Sequence, residues 1–402
     1  MQEPFDSWIP GVLNRNQMKA LCEHEHFVLT VPFNRKLIDE SSIDLHLTTD
    51  AYRMVNGSVK PSREFRYTYF LKQGHLAEKI SVSSSRATLL KAKSTYVFRL
   101  REQLGKGLGT LGIFGQATAK SSVGRVDVLA RLIVDGMDTY ECFKPKFFNS
   151  DSFSGEMYLE ITPITFDVLV RSGISLSQLR LFYGDPDEAE VRGEELYSAV
   201  YSGSKKQDGS LTVDISNTNI GGLEAAAFYA EPSKDHRAPV PLWTSGRSKN
   251  PMPDPTKYWK LKQADGKGRL KIESEKFYIL RSKERICVPP GIAVYCRASD
   301  ETIGEMRIHY AGFVHPWWGL RRTDDTKGTP LIFEVRGHQV NVSLAHGEQM
   351  ANLIFYRMSQ DAPKSKPTPY EGQQLQLSKF FSPWPGKLRY TMGVEDGAVE
   401  AV

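Results

Sequence analysis

The sequence has little of what marks several large classes of protein. Its 402 residues include only four cysteines, which are too few and too scattered for a disulfide framework: Cys22, Cys142, Cys287 and Cys296. No apolar run approaches the roughly 20 residues that a membrane-spanning helix needs, and the N-terminus lacks the basic and apolar regions of a signal peptide. These absences argue against a secreted or membrane-spanning protein and predict a cytoplasmic one.

An excess of charge of one sign is also missing. The 52 Lys and Arg against 47 Asp and Glu leave a net charge of +5, which is too weak for binding nucleic acid through bulk charge but compatible with a local anion pocket. The 40% hydrophobic and 25% charged residues are typical of folded domains and exclude a disordered or fibrous chain. At roughly 150 residues per domain, the length fits two or three domains.

Short strands dominate the predicted secondary structure, in keeping with 32 glycines and 22 prolines. One short helix is predicted near the start, where Asn14 is a capping residue and Met18 and Leu21 follow at helical spacing. Alternating or short apolar runs predict strands over Ser42–Leu47, Tyr96–Leu100, Met157–Thr162, Asp167–Val170, Leu211–Ile215, Lys276–Leu280, Ala293–Arg297, Pro330–Val335 and Asn352–Arg357. This series is typical of an all-β sandwich, jelly roll or barrel.

An internal repeat indicates two copies of one β domain. The segment from Met157 aligns without a gap on the segment from Leu331, so that Glu160 meets Glu334 at a separation of 174 residues. Further matched pairs are Gly173 with Gly347, Leu179 with Leu353, Asp44 with Asp214, and Gly124 with Gly304. We predict a first domain over 1–190, a linker over 191–207, a second domain over 208–382 and a C-terminal tail over 383–402.

The turn after Gly115 carries the sharpest binding motif. Ser121 and Ser122 supply hydroxyl groups, and Lys120 and Arg125 supply positive charge on the same short turn. Hydroxyls, backbone N–H groups and a guanidinium all bind phosphate oxygens, so the motif predicts a phosphate cradle. A solvated polar turn is the alternative interpretation.

Each copy also holds a carboxylate within an apolar strand, Glu160 in Met-Tyr-Leu-Glu-Ile and Glu334 in Leu-Ile-Phe-Glu-Val. Burial raises the pKa of a carboxyl group and prepares it for proton transfer. The alternative is a side chain that points outward into water, because strand residues alternate between two faces. Because both copies keep the glutamate, the repeat favours a functional role.

The order of the motifs carries a family resemblance. They are Gly11–Met18, Ser41–Leu47, Lys120–Arg125, Tyr310–Gly319, the strand glutamate and Tyr370–Gln374. Over roughly residues 11–380, the chain resembles the dCTP deaminase branch of the dUTPase-like superfamily in its long, two-domain bacterial form. The resemblance implies two tandem dUTPase-like barrels of the β-clip, distorted jelly-roll type. It also implies hydrolytic deamination of dCTP to dUTP and ammonia, which supplies dUMP for dTTP synthesis, and assembly as a homo-oligomer.

The same resemblance implies roles for individual residues. Glu160 and Glu334 correspond to the glutamate that activates water, and Ser121 and Arg125 to the catalytic residues that assist it. The implied substrate contacts are Lys120, Ser121, Ser122 and Arg125 on the phosphates, Ala311 and Gly312 in a hairpin that reads the base, and Tyr370 and Gln373 in the tail. The chain departs from the family pattern at Lys120, where arginine is usual, and at His315, where aspartate is usual.

Magnesium is implied as the companion of the triphosphate, and zinc is not. The sequence has nothing like the H-x-E and P-C-x-x-C signature of zinc deaminases. The nearest metal-like cluster, Cys22–His26, does not have the four correctly spaced ligands that a structural zinc site normally needs. We therefore expect no residue of this chain to be a dedicated metal ligand.

The two copies differ in which parts of the site they keep. With Gly124 on Gly304, the cradle residues Lys120, Ser121 and Arg125 fall opposite Asp300, Glu301 and Glu305, whose charges would repel a triphosphate. The second copy keeps the hairpin Ala311–Pro316, whereas the first has Arg131–Asp135 followed by an insertion. We therefore predict one composite site, with the cradle from the first copy, the hairpin from the second and Glu334 as the base.

Two other functions remain open. One is cleavage of dUTP to dUMP, alone or as a second activity, in which a hairpin aspartate orients the water; Asp135 keeps it open and His315 weakens it. The other is a nucleotide-binding regulator without turnover, because one fold hosts many functions. The joint presence of Ser121, Arg125 and both glutamates favours an enzyme.

Overall fold

The computed structural model describes residues 5–24, 26–29, 37–149, 153–201, 206, 208–233, 238–244, 252–298, 306–309, 312–320, 328–364, 370 and 372–386. Its helices are α1 Arg15–Glu23, α2 Tyr67–Leu71, α3 Gly107–Thr110, α4 Ser121–Gly124, α5 Pro186–Ala189 and α6 Glu194–Val200, with 3-10 turns at Pro145–Asn149 and Pro255–Lys257. The predicted N-terminal helix is confirmed. Asn14 accepts from the backbone of Gln17, whose side chain accepts from the Asn14 N–H, and together they form a capping box.

Strands make up most of the rest of the fold. In the first half of the chain they are β1 Gly11–Val12, β2 Phe27–Leu29, β3 Ile43–Met54, β4 Ala77–Ser81, β5 Thr88–Leu90, β6 Tyr96–Leu100, β7 Glu102–Leu104, β8 Ile113–Ala119, β9 Val128–Val134, β10 Cys142–Phe143, β11 Met157–Pro163, β12 Val168–Val170 and β13 Ser175–Tyr183. In the second half they are β14 Glu190–Val191, β15 Ser210–Asp214, β16 Thr218–Ile220, β17 Leu223–Ala225, β18 Ala227–Ala230, β19 Val240–Pro241, β20 Trp259–Lys262, β21 Arg269–Ile272, β22 Phe277–Ile286, β23 Ile292–Ala298, β24 Met306–His309, β25 Gly312–Val314, β26 Thr329–Gly337, β27 Val342–Ala345 and β28 Gln349–Arg357. Each strand predicted from alternation overlaps one of these, and the all-β barrel class is confirmed.

The two large sheets follow the same path. In the first, the order β8-β13-β3-β6-β11-β9 runs through antiparallel neighbours. In the second, β23-β28-β15-β22-β26-β24 repeats it strand for strand. Glu160 on β11 and Glu334 on β26 occupy equivalent places, so the repeat seen in the sequence is also a repeat of topology.

One matched pair of the sequence alignment is corrected by the strand register. In the first sheet Gln178 pairs with Asp44, and in the second its counterpart Asn352 pairs with Ser210. Asp44 therefore corresponds to Ser210, and the match of Asp44 with Asp214 is wrong by four residues. Both β13 and β28 shift register near their first residues, and such bulges are invisible to an alignment of similar letters.

Period-two alternation places the cores. In β3, Ile43, Leu45 and Leu47 are buried, whereas the residues between them are partly exposed. The largest core takes residues from both copies: the rings of Phe166 and Trp259 lie 5.6 Å apart, measured between centroids. The two barrels are therefore packed on each other through apolar contacts.

The region predicted as a linker includes ordered structure. Helix α6 lies in it, and Val200 and Tyr201 are buried in the core of the second barrel. β14, which precedes α6, pairs with β28. The boundaries of the domains and of the tail stay predictions.

Candidate active site

A cavity of about 500 Å³ lies between the two copies. It is lined by Arg15, Ile38, Asp39, Asp44, Ala119, Lys120, Ser121, Ser122, Arg125 and Gln178 from the first copy, and by Cys296, Gly312, Phe313, Val314, His315, Trp318, Leu331, Ile332, Glu334, Tyr370, Gln373 and Lys379 from the second copy. Its volume suits a small organic ligand. The cradle and the hairpin thus face one space.

The cradle is a single helical turn that is held by buried contacts. β8 ends at Ala119, Lys120 is the N-cap residue with an extended backbone, and α4 follows, with the Val123 side chain fully buried. Ser121 is left on the exposed side of this turn, while the Ser122 carbonyl accepts a hydrogen bond of 2.7 Å from Ser378. The Lys120 Nζ atom lies 2.5 Å from the Asp44 carboxylate. The cradle therefore has hydroxyl and ammonium donors at the cavity wall.

Arg125 lies at the centre of the site and is 1% exposed. Its guanidinium donates to Ser121 Oγ at 3.2 Å, to the Gln373 side-chain oxygen at 2.7 Å and to the Gln376 carbonyl at 3.1 Å. The Tyr370 ring lies 4.0 Å from the guanidinium carbon. Burial lowers the pKa of Arg125, against the opposing influence of Tyr370 and Glu334. The C-terminal segment therefore fixes this cation.

Glu334 faces Arg125 across the boundary between the copies. The two side chains are 4.0 Å apart, and Glu334 is 5% exposed in the middle of β26. Burial raises the pKa of Glu334 to about 8, although the Arg125 charge works in the opposite direction. Cys296 lines the cavity on β23, and burial raises the pKa of its thiol to about 12. Glu334 is therefore a buried carboxyl group with a pKa close to neutral, which suits proton exchange.

The hairpin strand β25 forms another wall. Gly312 and Val314 pair with Cys296 and Val294 on β23, while the predicted base contact Ala311 lies outside the described residues. His315 follows β25 and lines the cavity, and its Nδ1 atom lies 2.9 Å from Ser41 Oγ. Asp300, Glu301 and Glu305 of the second copy also lie outside the described residues.

Glu160 is placed in different surroundings. It is 2% exposed, and its carboxylate accepts from the Arg131 guanidinium at 2.5 Å and from the Tyr140 hydroxyl at 3.2 Å. The Arg131 guanidinium also lies 4.1 Å from the centre of the Tyr140 ring. Glu160 is not among the residues that line the cavity. The structure thus brings together every predicted site residue that it describes except Glu160.

Asp135, the residue that kept dUTP cleavage open in the first copy, is also engaged elsewhere. Its carboxylate accepts from Arg66 Nε at 2.9 Å, from the Tyr67 backbone N–H at 2.6 Å and from Ser154 Oγ at 2.8 Å. It is 1% exposed. Its bonds connect the start of α2 with Ser154 in the loop before β11, which makes it a structural carboxylate.

Other residues of the cavity were missed by the sequence analysis: Arg15, Asp39, Gln178 and Lys379. Burial lowers the pKa of Lys379, and the nearby Lys120 adds to this effect. Burial favours a higher pKa for Asp39, but hydrogen bonding at Glu40 and the charges of His315 and Arg15 lower it to about 2. Arg15 lies within the Gly11–Met18 motif, but that motif did not indicate a role for it. These residues come close to the cradle only in the folded chain, so their place in the cavity does not follow from the residues next to them in the sequence.

Within the part of the chain that the structure describes, His, Cys, Asp and Glu nowhere gather in threes or more as metal ligands. In those same residues, no helix has both the length and the apolar character needed to cross a membrane.

Two family models match the chain almost end to end. The model of the 2′-deoxycytidine 5′-triphosphate deaminase N-terminal domain matches residues 9–185, and that of its C-terminal domain matches residues 199–381. The chain belongs to the 2′-deoxycytidine 5′-triphosphate deaminase family. Like the other members of this family it is an enzyme, and its cavity lies where the two matched domains meet.

A solved structure supports the assignment of this dCTP deaminase family member. The crystal structure of 2′-deoxycytidine 5′-triphosphate deaminase from Agrobacterium tumefaciens superposes with a TM-score of 0.75 at 26% identity, covering 88% of this chain and 99% of that one. No curated protein matches the chain. The family and the two-barrel fold expected from the sequence are thereby confirmed.

Proposed function

We propose that this member of the dCTP deaminase family hydrolyses dCTP to dUTP and ammonia in the cavity between its barrels. The observation that carries the proposal is the pair Arg125 and Glu334, contributed by different copies and 4.0 Å apart in one cavity with the cradle. All of these residues come from a single chain. The cytoplasmic location and the homo-oligomer stay predictions.

In this reaction Glu334 acts as a proton carrier. The ionised carboxylate takes a proton from water as the water oxygen attacks the ring carbon that bears the amino group. Glu334 gives this proton to the ring nitrogen next to the attacked carbon, then takes the proton of the newly added hydroxyl group and delivers it to the amino nitrogen. The carbon–nitrogen bond breaks, the hydroxyl oxygen becomes the carbonyl of dUTP, and ammonia leaves. Arg125, held by Gln373 and Tyr370, keeps a positive charge beside the carboxylate and favours its ionised form.

The phosphates are assigned to the cradle side of the cavity. Lys120, Lys379 and the Ser121 and Ser122 hydroxyls offer charge and hydrogen bonds there. Magnesium, the ordinary companion of a nucleoside triphosphate, takes oxygen ligands. A magnesium ion held by the triphosphate would neutralise phosphate charge, and the Asp39 carboxylate in this cavity would supply at most an auxiliary oxygen ligand.

The test is incubation of the purified protein with dCTP and magnesium, followed by separation of dUTP, dUMP and ammonia. Equal amounts of dUTP and ammonia would support deamination alone. Ammonia with dUMP would mean that cleavage of dUTP follows deamination. Binding of dCTP without either product would leave a nucleotide-binding regulator.

Cleavage of dUTP is the second candidate, either alone or after deamination. The observation in its favour is that a carboxylate, Asp39, lines the cavity close to His315, the residue that stands where the family usually has its aspartate. Such a pair has the chemistry to orient a water molecule for attack on a phosphorus atom. Incubation with dUTP, with release of pyrophosphate as the readout, tests it directly.

A further inference from the structure

Arg180 is a buried cation that neither the repeat nor the cavity explains. It lies on β13 of the first barrel and is 0% exposed. Its Nη1 atom donates to the Val294 carbonyl at 3.0 Å, and its guanidinium carbon lies 4.0 Å from the centre of the Phe313 ring. Both contacts are made to the second barrel. Arg180 therefore connects the first barrel to the strands β23 and β25 behind the cavity.

The side chain has few compensating contacts. Among the described residues, its Nε and Nη2 atoms have no hydrogen-bond partner. Burial lowers the pKa of Arg180 to about 9, because a charge is destabilised when it leaves water without a counter-ion. Arg180 is therefore a poor residue for stabilising the fold.

The repeat supplies an internal control. At the separation of 174 residues that joins Glu160 to Glu334, the counterpart of Arg180 is Ile354. Ile354 lies on β28, which pairs with its neighbours as β13 does. An aliphatic side chain thus suits this strand position, and the β domain does not itself require an arginine there.

We propose that Arg180 is a positioning residue for the nucleotide, and that it acts by holding the β25 hairpin through Phe313 and Val294. Phe313 lies between Gly312 and Val314, and all three line the cavity. The guanidinium stacks on the ring of Phe313 and fixes β23 by its hydrogen bond, so the wall that faces the base is set from the first barrel. This inference rests on the proposed function.

The experiment compares Arg180→Met with the wild type in the full-length protein. We expect KM for dCTP to rise about tenfold, because the hairpin loses its support, while the melting temperature stays equal or rises, because an apolar side chain replaces an unpaired buried charge. Arg180→Lys, which keeps a cation over the ring, should recover part of the affinity. Arg171→Met is the matched control, since Arg171 lies 4.8 Å from the Trp243 ring outside the cavity, and should leave KM unchanged.

A double-variant cycle shows whether the effect passes through the ring. In a Phe313→Leu background, Arg180→Met should add little to KM. An unchanged KM in Arg180→Met would overturn the proposal. If the melting temperature also fell, Arg180 would be a structural residue. A wild-type protein that does not convert dCTP would instead refute the proposed function; calorimetric affinities for dCTP would then decide on Arg180, and absence of binding would refute both.

Discussion

Glu160 and Glu334 occupy the same place in two copies of one domain, yet their surroundings differ. Glu160 has a close cation, Arg131, and a tyrosine hydroxyl, and these hydrogen bonds occupy both of its oxygens. Glu334 faces Arg125 at 4.0 Å and an open cavity. Both glutamates are buried and occupy equivalent strands. The difference between them therefore comes from the residues that face each carboxylate.

This comparison indicates how the two copies of the domain came to have different roles. A turn of the first barrel contacts the glutamate of the second, and the contact is heterologous, because different surfaces meet. Such a contact leaves the glutamate face of the first barrel without a cradle. In this chain that face is covered by α2 and by Tyr67 and Tyr140, which pack in one apolar cluster. Glu160 is accordingly satisfied by structural partners.

The largest expected effect is the difference between two isosteric variants. Glu334→Gln should lower kcat by about 10²- to 10⁴-fold, the usual contribution of a general base, while the affinity for dCTP persists. Glu160→Gln should leave kcat within about threefold, because Glu160 is outside the cavity. Turnover and calorimetric affinity measure both. An inactive Glu160→Gln beside a normal Glu334→Gln would reverse the comparison.

Arg125→Ala should be nearly as severe. It removes the cation beside Glu334 and the anchor of the C-terminal segment at Gln373 and Gln376, so we expect kcat to fall by about 10²- to 10³-fold. The control is Arg131→Ala, which removes the corresponding partner of Glu160 and should spare kcat per folded molecule. Equal losses in the two variants would contradict the assignment of the working site.

The pH dependence sharpens the comparison further. Burial raises the pKa of Glu334 to about 8, and only its ionised form can accept a proton from water. As pH falls below about 8, kcat/KM should therefore decrease about tenfold per unit, and above it the profile should level off. The residual activity of Glu334→Gln should not show this decrease at low pH. A profile that is flat between pH 6 and about 8 would exclude Glu334 as the titrating base.

The smallest effect concerns the cradle. Lys120→Ala should raise KM for dCTP about tenfold and leave kcat almost unchanged, because an ammonium group binds phosphate mainly as a point charge. Its partner Asp44 and the nearby Lys379 would remain in place. Steady-state kinetics with dCTP and with deoxycytidine test this explanation. Deoxycytidine has no phosphate, so the loss of the Lys120 charge should not change its KM. A change confined to kcat would argue against phosphate binding.

Local patterns in the sequence determined much of this protein. The capping residues fixed the start of α1, alternation located the strands, and contiguous letters revealed the cradle at Lys120–Arg125 and the repeat of Glu160 and Glu334. These features depend on neighbours a few residues apart, and periodicity and capping express such neighbours directly. The family order of motifs could likewise be recognised without coordinates.

Tertiary structure alone decided which glutamate faces the cradle. Arg125 and Glu334 meet across the boundary between two barrels, and Arg131 meets Glu160 across a pair of strands. The corrected match of Asp44 with Ser210 depends on shared bulges, and the contact of Arg180 with Phe313 on the docking of one sheet against another. Each of these contacts joins segments that are far apart in the chain. Which segments pack together depends on the free energy of burial in the whole fold, and a local sequence pattern does not contain that information.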